Sequence, residues 1–131
     1  MRNAVWHRPV LVMAGVYNLV WGALVAVAPR ATLEWLGLDA TSAVTRNIWA
    51  CVGMIVGVYG VGYLIAARDP LRHWPIVLVG LLGKILGPLG FVFAAVRGEL
   101  PWTMGWTLIT NDLAWWLPFG FLLLAVRRAR H

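Results

Sequence analysis

Charge is scarce in this chain. Of its 131 residues, 11 are basic and 5 acidic, a charged share of 12%. A soluble domain usually carries about twice that share. With so little polar surface, a water-soluble globule of this size is excluded. Cysteine is scarcer still. A single one, Cys51, rules out an intramolecular disulfide and any CxxC metal or redox motif. It falls in an apolar run and reads as a small buried hydrophobe. Histidine is missing from the middle of every long apolar run. A haem held between two mid-span histidines is therefore excluded. His7 and His73 are read as interfacial, with a metal shared between them as the alternative, and no metal site is assigned.

What the chain has instead is apolar length. It is 61% hydrophobic and holds nine tryptophans. A spanning helix needs about 20 mostly apolar residues to cross a core of about 30 Å. Four segments qualify, at about 9–28, 44–67, 75–96 and 101–126. Three of them open on a proline, which suits a first helical turn. The first run has features of a signal peptide, with Arg2 and Arg8 before it and Ala26-Val27-Ala28 at its end. Pro29 would follow the cut, however, and the run is long enough to span, so a retained helix is expected. Between the first two spans, Leu33, Glu34, Trp35 and Leu36 suggest a short interfacial helix ended by Gly37. Thr41 or Ser42 can cap the second span. The turns at 68–73 and 97–100 are short, which forces antiparallel neighbours.

The expected fold is an all-α integral membrane four-helix bundle, up-down and antiparallel, forming a single transmembrane domain over 1–131. The formal net charge is +6. The basic residues cluster at the ends of the apolar runs, which points to membrane topology and away from nucleic acid. Arg2, Arg8, Arg68, Arg72, Arg127, Arg128 and Arg130 fall on one side; Arg30, Arg46 and Arg97 fall on the other. That bias places both termini in the cytoplasm. Trp6 and Trp74 then lie at the inner interface, and Trp35, Trp49 and Trp102 at the outer one. Gly53, Gly57 and Gly60, and Gly80, Gly83, Gly87 and Gly90, recur at spacings that let helices approach closely. Packing within one chain is the first reading of these faces, and a homo-oligomer the second. Short echoes, such as Gly15-Val16-Tyr17 with Gly57-Val58-Tyr59, are the faint trace an inverted repeat would leave.

The informative residues are polar ones inside the spans. At 1.5 Å per residue, Lys84 and Asn18 lie about 13 Å into the membrane and Asp112 about 16 Å from the other side. A lone charge at that depth costs at least ~2.5–3.5 kcal/mol. Lys84 and Asp112 have opposite sign and similar depth, so a buried ion pair is expected. Pro88 leaves the carbonyl of Lys84 without its amide, and Pro118 does the same for Ala114. Asn111 adjoins Asp112. Trp21, Trp115 and Trp116 stand one helical turn from these polar groups, and Tyr17 and Tyr59 offer hydroxyls.

Three functions fit this polar centre. The leading one is binding of a small lipophilic molecule, with acid–base conversion by Lys84 and Asp112 as an extension. Asn18 and Asn111 would orient its polar group. Trp21, Trp115 and Trp116 would hold its apolar body, with Tyr17 and Tyr59 beside it. The second is a proton- or ion-coupled small transporter using Asp112. The third is an accessory membrane subunit in which the ion pair only fixes helix register.

The run Trp74-Pro75-Ile76-Val77-Leu78-Val79-Gly80-Leu81-Leu82-Gly83-Lys84, with Ile109-Thr110-Asn111-Asp112-Leu113 and Trp115-Trp116-Leu117-Pro118-Phe119, resembles a family of small bacterial four-span membrane proteins. The resemblance covers most of the chain. It implies the fold and no activity. Some members carry the label alkyl hydroperoxide reductase, which does not suit this chain. Those enzymes are soluble and thioredoxin-like, with a reactive cysteine in a Pro-x-x-x-Thr-x-x-Cys context. Cys51 follows Asn47-Ile48-Trp49-Ala50 inside a span.

Overall fold

In the computed structural model, which describes residues 4–131, every regular element is helical. Helix α1 covers His7–Val27, α2 Pro29–Trp35, α3 Ala43–Ala66 and α4 Trp74–Val96. The last stretch is composite. A 3-10 turn at Trp102–Met104 leads into a short α5 at Gly105–Leu108, a π-helical segment at Ile109–Leu113, and α6 at Ala114–Arg130. Four stretches are long and apolar enough to cross a membrane: His7–Val27, Ala43–Ala66, Trp74–Val96 and Trp102–Arg130. Large apolar side chains such as Val20, Ile48, Leu86 and Leu117 stand exposed on their outer faces. Water penalises such surface and lipid does not, so the chain is a multi-pass membrane protein. Arg2, one of the arginines counted for orientation, lies outside the described residues.

The helix ends follow from local chemistry. Pro29 starts α2 directly after Ala28, where its missing N–H costs nothing. Gly37 closes α2 with a left-handed φ of 75°. The Leu38 N–H reaches the Leu33 carbonyl and the Gly37 N–H reaches that of Glu34, which is the Schellman pattern. Gly98 ends α4 the same way at φ 74°. Of the two candidate caps for α3 it is Ser42 that serves, its hydroxyl accepting from the Thr45 N–H. Trp49 does more than mark an interface. Its indole N–H donates to Thr32 Oγ1 at 2.8 Å and ties α2 to α3.

Around the bundle the neighbours run α1, α3, α4, α6 and back to α1, with α1 on α3 the most extensive contact. Gly15 meets Gly60 and Gly22 meets Gly53, so these two helices run in opposite directions. A Cβ on Gly22 would sit 2.5 Å from the Gly53 carbonyl oxygen, and one on Gly53 would sit 2.7 Å from that of Gly22. Between α3 and α4, the Tyr63 hydroxyl lies where a Cβ on Gly80 would be. The expectation for the other glycines is corrected. A Cβ on Gly57, Gly83 or Gly90 would meet open space, although the Gly57 main chain itself lies against Gly22 and Gly83 borders a cleft. Cys51 is corrected too: it is exposed on α3 and faces lipid rather than the core. The core gathers Leu11, Ala14, Tyr63, Val77, Phe119 and Leu122 toward the end of the bundle that holds the α3–α4 turn.

Candidate functional site

The site is built on a break in regular helix. Thr110, Asn111 and Asp112 are consecutive polar residues whose side chains compete for main-chain hydrogen bonds. There the last span widens into its π segment, and the Ala114 N–H reaches the carbonyl of Ile109, five residues back. Two carbonyls in this stretch are claimed by side chains. The Trp115 indole N–H donates to the Thr110 carbonyl at 2.9 Å. The Lys84 ammonium, arriving from the middle of α4, donates to the Asn111 carbonyl at 2.5 Å.

Pro88 produces the reciprocal link. It leaves the Lys84 carbonyl without its usual main-chain donor. The Trp116 indole N–H takes that place at 2.7 Å. Lys84 is thus fastened at both ends to the last span, through its own carbonyl and through its ammonium.

The expected Lys84–Asp112 ion pair is absent. The physical reason is the π turn, which presents the Asn111 main-chain oxygen to α4, and the ammonium takes that oxygen. The Asp112 carboxylate instead accepts from the Asn111 side-chain amide, Nδ2 to Oδ1, at 3.1 Å. Lys84 and Asp112 are both buried, at 4% and 7% exposure. The ammonium also stands 5.6 Å from the centre of the Tyr63 ring, within cation–π range.

A cleft of about 340 Å³ opens beside these groups. Asn18, Lys84, Asn111 and Asp112 supply its polar wall, and Val52, Ile55, Tyr59, Gly83 and Gly87 its flanks. Helices α3 and α4 touch at Gly62–Ile76 and Tyr63–Gly80 near their turn. Beyond that contact the cleft lies between exposed residues of both helices, so its mouth faces the bilayer.

Two polar atoms of this wall are buried with no partner, Asn18 Oδ1 and Asn111 Oδ1. Neither amide can be turned to cure this. Asn18 Nδ2 donates to the Val56 carbonyl at 3.3 Å and Asn111 Nδ2 to Asp112, so a flip would set oxygen against oxygen. Buried acceptors without donors are rare in folded proteins and are open to a donor from a water or a bound molecule. The free hydrogens of Lys84 complete a wall that can both give and accept hydrogen bonds.

The structure brings together most of the residues singled out in the sequence, though in different roles. Asn18, Tyr59, Lys84, Asn111 and Asp112 share the cleft. Tyr17 bonds Thr110, oxygen to oxygen at 2.8 Å, and so joins α1 to the π segment. Trp115 and Trp116 fasten carbonyls. Trp21 is half-buried and takes no part in the cleft. Tyr63 was missed, although it stands one turn from Tyr59 and could have been found by that spacing. His7, at the first turn of α1, is packed inside the protein, at 1% exposure. Among the described residues no group of three or more metal-binding side chains assembles.

No protein-family model, curated protein or solved structure matches this chain, so the resemblance noted for its third and fourth spans finds no family behind it and the site must be read from its own residues.

Proposed function

We propose that this small polytopic membrane protein binds a lipophilic molecule through the cleft between α3 and α4. The observation that carries the reading is the pair of orphaned acceptors, Asn18 Oδ1 and Asn111 Oδ1, beside Lys84 and Asp112. Left empty, such a wall costs about 1–3 kcal/mol per unpaired group. A ligand that donates to the two amide oxygens and accepts from Lys84 offsets that cost. It enters from lipid, because the mouth of the cleft lies there, and its apolar body stays against Ile55 and Tyr59. Lys84 and Asp112 are the groups able to exchange a proton with it, which is the route to acid–base chemistry. In this reading the chain forms one transmembrane domain of a bacterial inner membrane, with both termini cytoplasmic on the arginine bias.

The test uses the open space in front of Gly83. A tryptophan there fills the cleft without striking the fold, since nothing lies within 4 Å of a Cβ at that position. Native mass spectrometry of the detergent-purified protein is expected to show a co-purifying lipophile, and Gly83→Trp is expected to lose it while staying folded. Equal retention by the variant would sink the reading. Proton flux into liposomes that depends on Asp112 and survives Gly83→Trp would replace it with coupled transport. The orientation is checked separately. Cysteines introduced at Glu34 or Glu99 should label from outside intact cells, and one at Arg128 should not.

A further inference from the structure

A second, larger recess lies apart from the cleft, where the start of α1 meets the end of α6. It measures about 730 Å³ and is lined by Trp6, His7, Phe121, Leu124 and Arg128, among others. His7 is the unusual member. It is 1% exposed, yet its Nε2 is buried without a partner. Its Nδ1 accepts from the Ala4 N–H at 3.1 Å, which leaves the proton of the neutral ring on Nε2 as a donor. The Trp6 ring stands edge-on to His7 with centroids 4.3 Å apart and holds the imidazole in place. Arg128 brings a cation that no carboxylate among the described residues pairs. Arg127 and Arg130 share the terminal turn of α6 but face a separate recess beside Trp74. Phe121 and Leu124 continue the recess along α6 and stay exposed, at 56% and 47%.

The geometry points to a binding site for the phosphate headgroup of an anionic phospholipid. The His7 Nε2–H and the Arg128 guanidinium serve the phosphate, and Phe121 and Leu124 carry an acyl chain. Basic recesses at the ends of spanning helices suit such headgroups, since positive charge there meets the anionic surface of the leaflet. Charge complementarity selects an anionic lipid over a zwitterionic one. The apolar floor selects a lipid over free phosphate.

The experiment is native mass spectrometry of the full chain in detergent. It is titrated separately with phosphatidylglycerol, with phosphatidylcholine of the same acyl chains, and with inorganic phosphate. A saturable phosphatidylglycerol site is expected, with both other probes markedly weaker. His7→Phe keeps a ring against Trp6 and removes the donor, which should weaken phosphatidylglycerol about tenfold. Arg128→Gln should weaken it about fivefold. If His7→Phe folds poorly, Arg128→Gln decides the matter, because it breaks no ion pair. Its melting temperature in lipid-free detergent should match wild type, which a purely structural arginine would not allow. Phosphatidylcholine or inorganic phosphate binding as tightly as phosphatidylglycerol would overturn the assignment. So would unchanged affinity in Arg128→Gln.

Discussion

Along the seam between α1 and α3, main chain meets main chain; across the seam between α4 and the last span, side chains reach over to main chain. In the first, Gly15 and Gly22 press on Gly60 and Gly53 with no room for a methyl group. In the second, the Lys84 ammonium, the Lys84 carbonyl and the Trp116 indole exchange hydrogen bonds across the gap. Lipid already solvates apolar side chains, so helices in a membrane need another reason to associate, and close packing and interhelical hydrogen bonds are the two main ones. This molecule relies chiefly on close packing at the first seam, where Asn18 also bonds the Val56 carbonyl, and on hydrogen bonds at the second. The dry seam leaves no space for a ligand. The polar seam borders the cleft, because polar side chains hold the helices apart as well as together.

The largest expected effect lies on the dry seam. Gly22→Leu or Gly53→Leu should cost about 3 kcal/mol or more, since the atoms in the way are backbone and cannot yield. Gly57→Leu and Gly83→Leu should change stability little, because their Cβ positions are open. Reversible unfolding in mixed detergent micelles measures both. Similar losses at all four positions would erase the difference between glycines whose Cβ would strike a neighbour and glycines whose Cβ would meet open space.

On the polar seam, Trp116→Phe should cost about 1–3 kcal/mol by stranding the buried carbonyl of Lys84. The same change made together with Pro88→Ala should cost less, because an alanine at 88 returns a main-chain amide to that carbonyl. A double-mutant cycle reads the coupling. Strict additivity would mean that the indole bond is not the replacement for the one proline removes.

Lys84→Met should also cost about 1–3 kcal/mol, by removing the donor to the Asn111 carbonyl. Adding Asp112→Asn should recover little of it, since the ammonium's partner is a main-chain oxygen. Near-complete recovery would show that charge pairing with Asp112 holds Lys84 after all.

The smallest effect belongs to neither seam. Asp39, in the loop before α3, accepts from both the N–H and the hydroxyl of Thr41, at 2.9 and 2.8 Å. These bonds hold its carboxyl below the usual carboxylate range. A depressed carboxyl contributes stability above its unfolded value and loses it as pH falls through the lower folded value. The turn should therefore be intact at neutral pH and loosen only in acid. Chemical shifts of the Thr41 amide followed by NMR would report this, and loosening at neutral pH would contradict it.

Much of this was legible residue by residue. Ser42 before an apolar run and Gly37 after a short one mark helix ends because capping is local chemistry. The depth of Asn18, Lys84 and Asp112 follows from counting rises along a helix. The partners of those residues were not legible. Opposite charges at matched depth suggest a pair, yet the choice among a carboxylate, a main-chain oxygen and a ring depends on ångströms that no spacing encodes. The π segment was equally hidden. Three polar residues in a row make one conceivable, but whether the helix widens there depends on Lys84 and Tyr17 arriving to bind Asn111 and Thr110.

The sequence by itself determined that the chain crosses a membrane, where its spans lie and which polar groups are carried inside, because these depend on composition and on distance along one helix. Only the tertiary structure decided which glycines have no room for a Cβ and which have open space, that Lys84 binds a carbonyl in place of Asp112, and that Trp116 takes over the bond Pro88 removes. Each of those depends on the rotation of one helix against another. Rotation is set by the packing of all the faces at once, and a change of one residue in register carries a side chain about 100° around the helix, from a partner to the lipid.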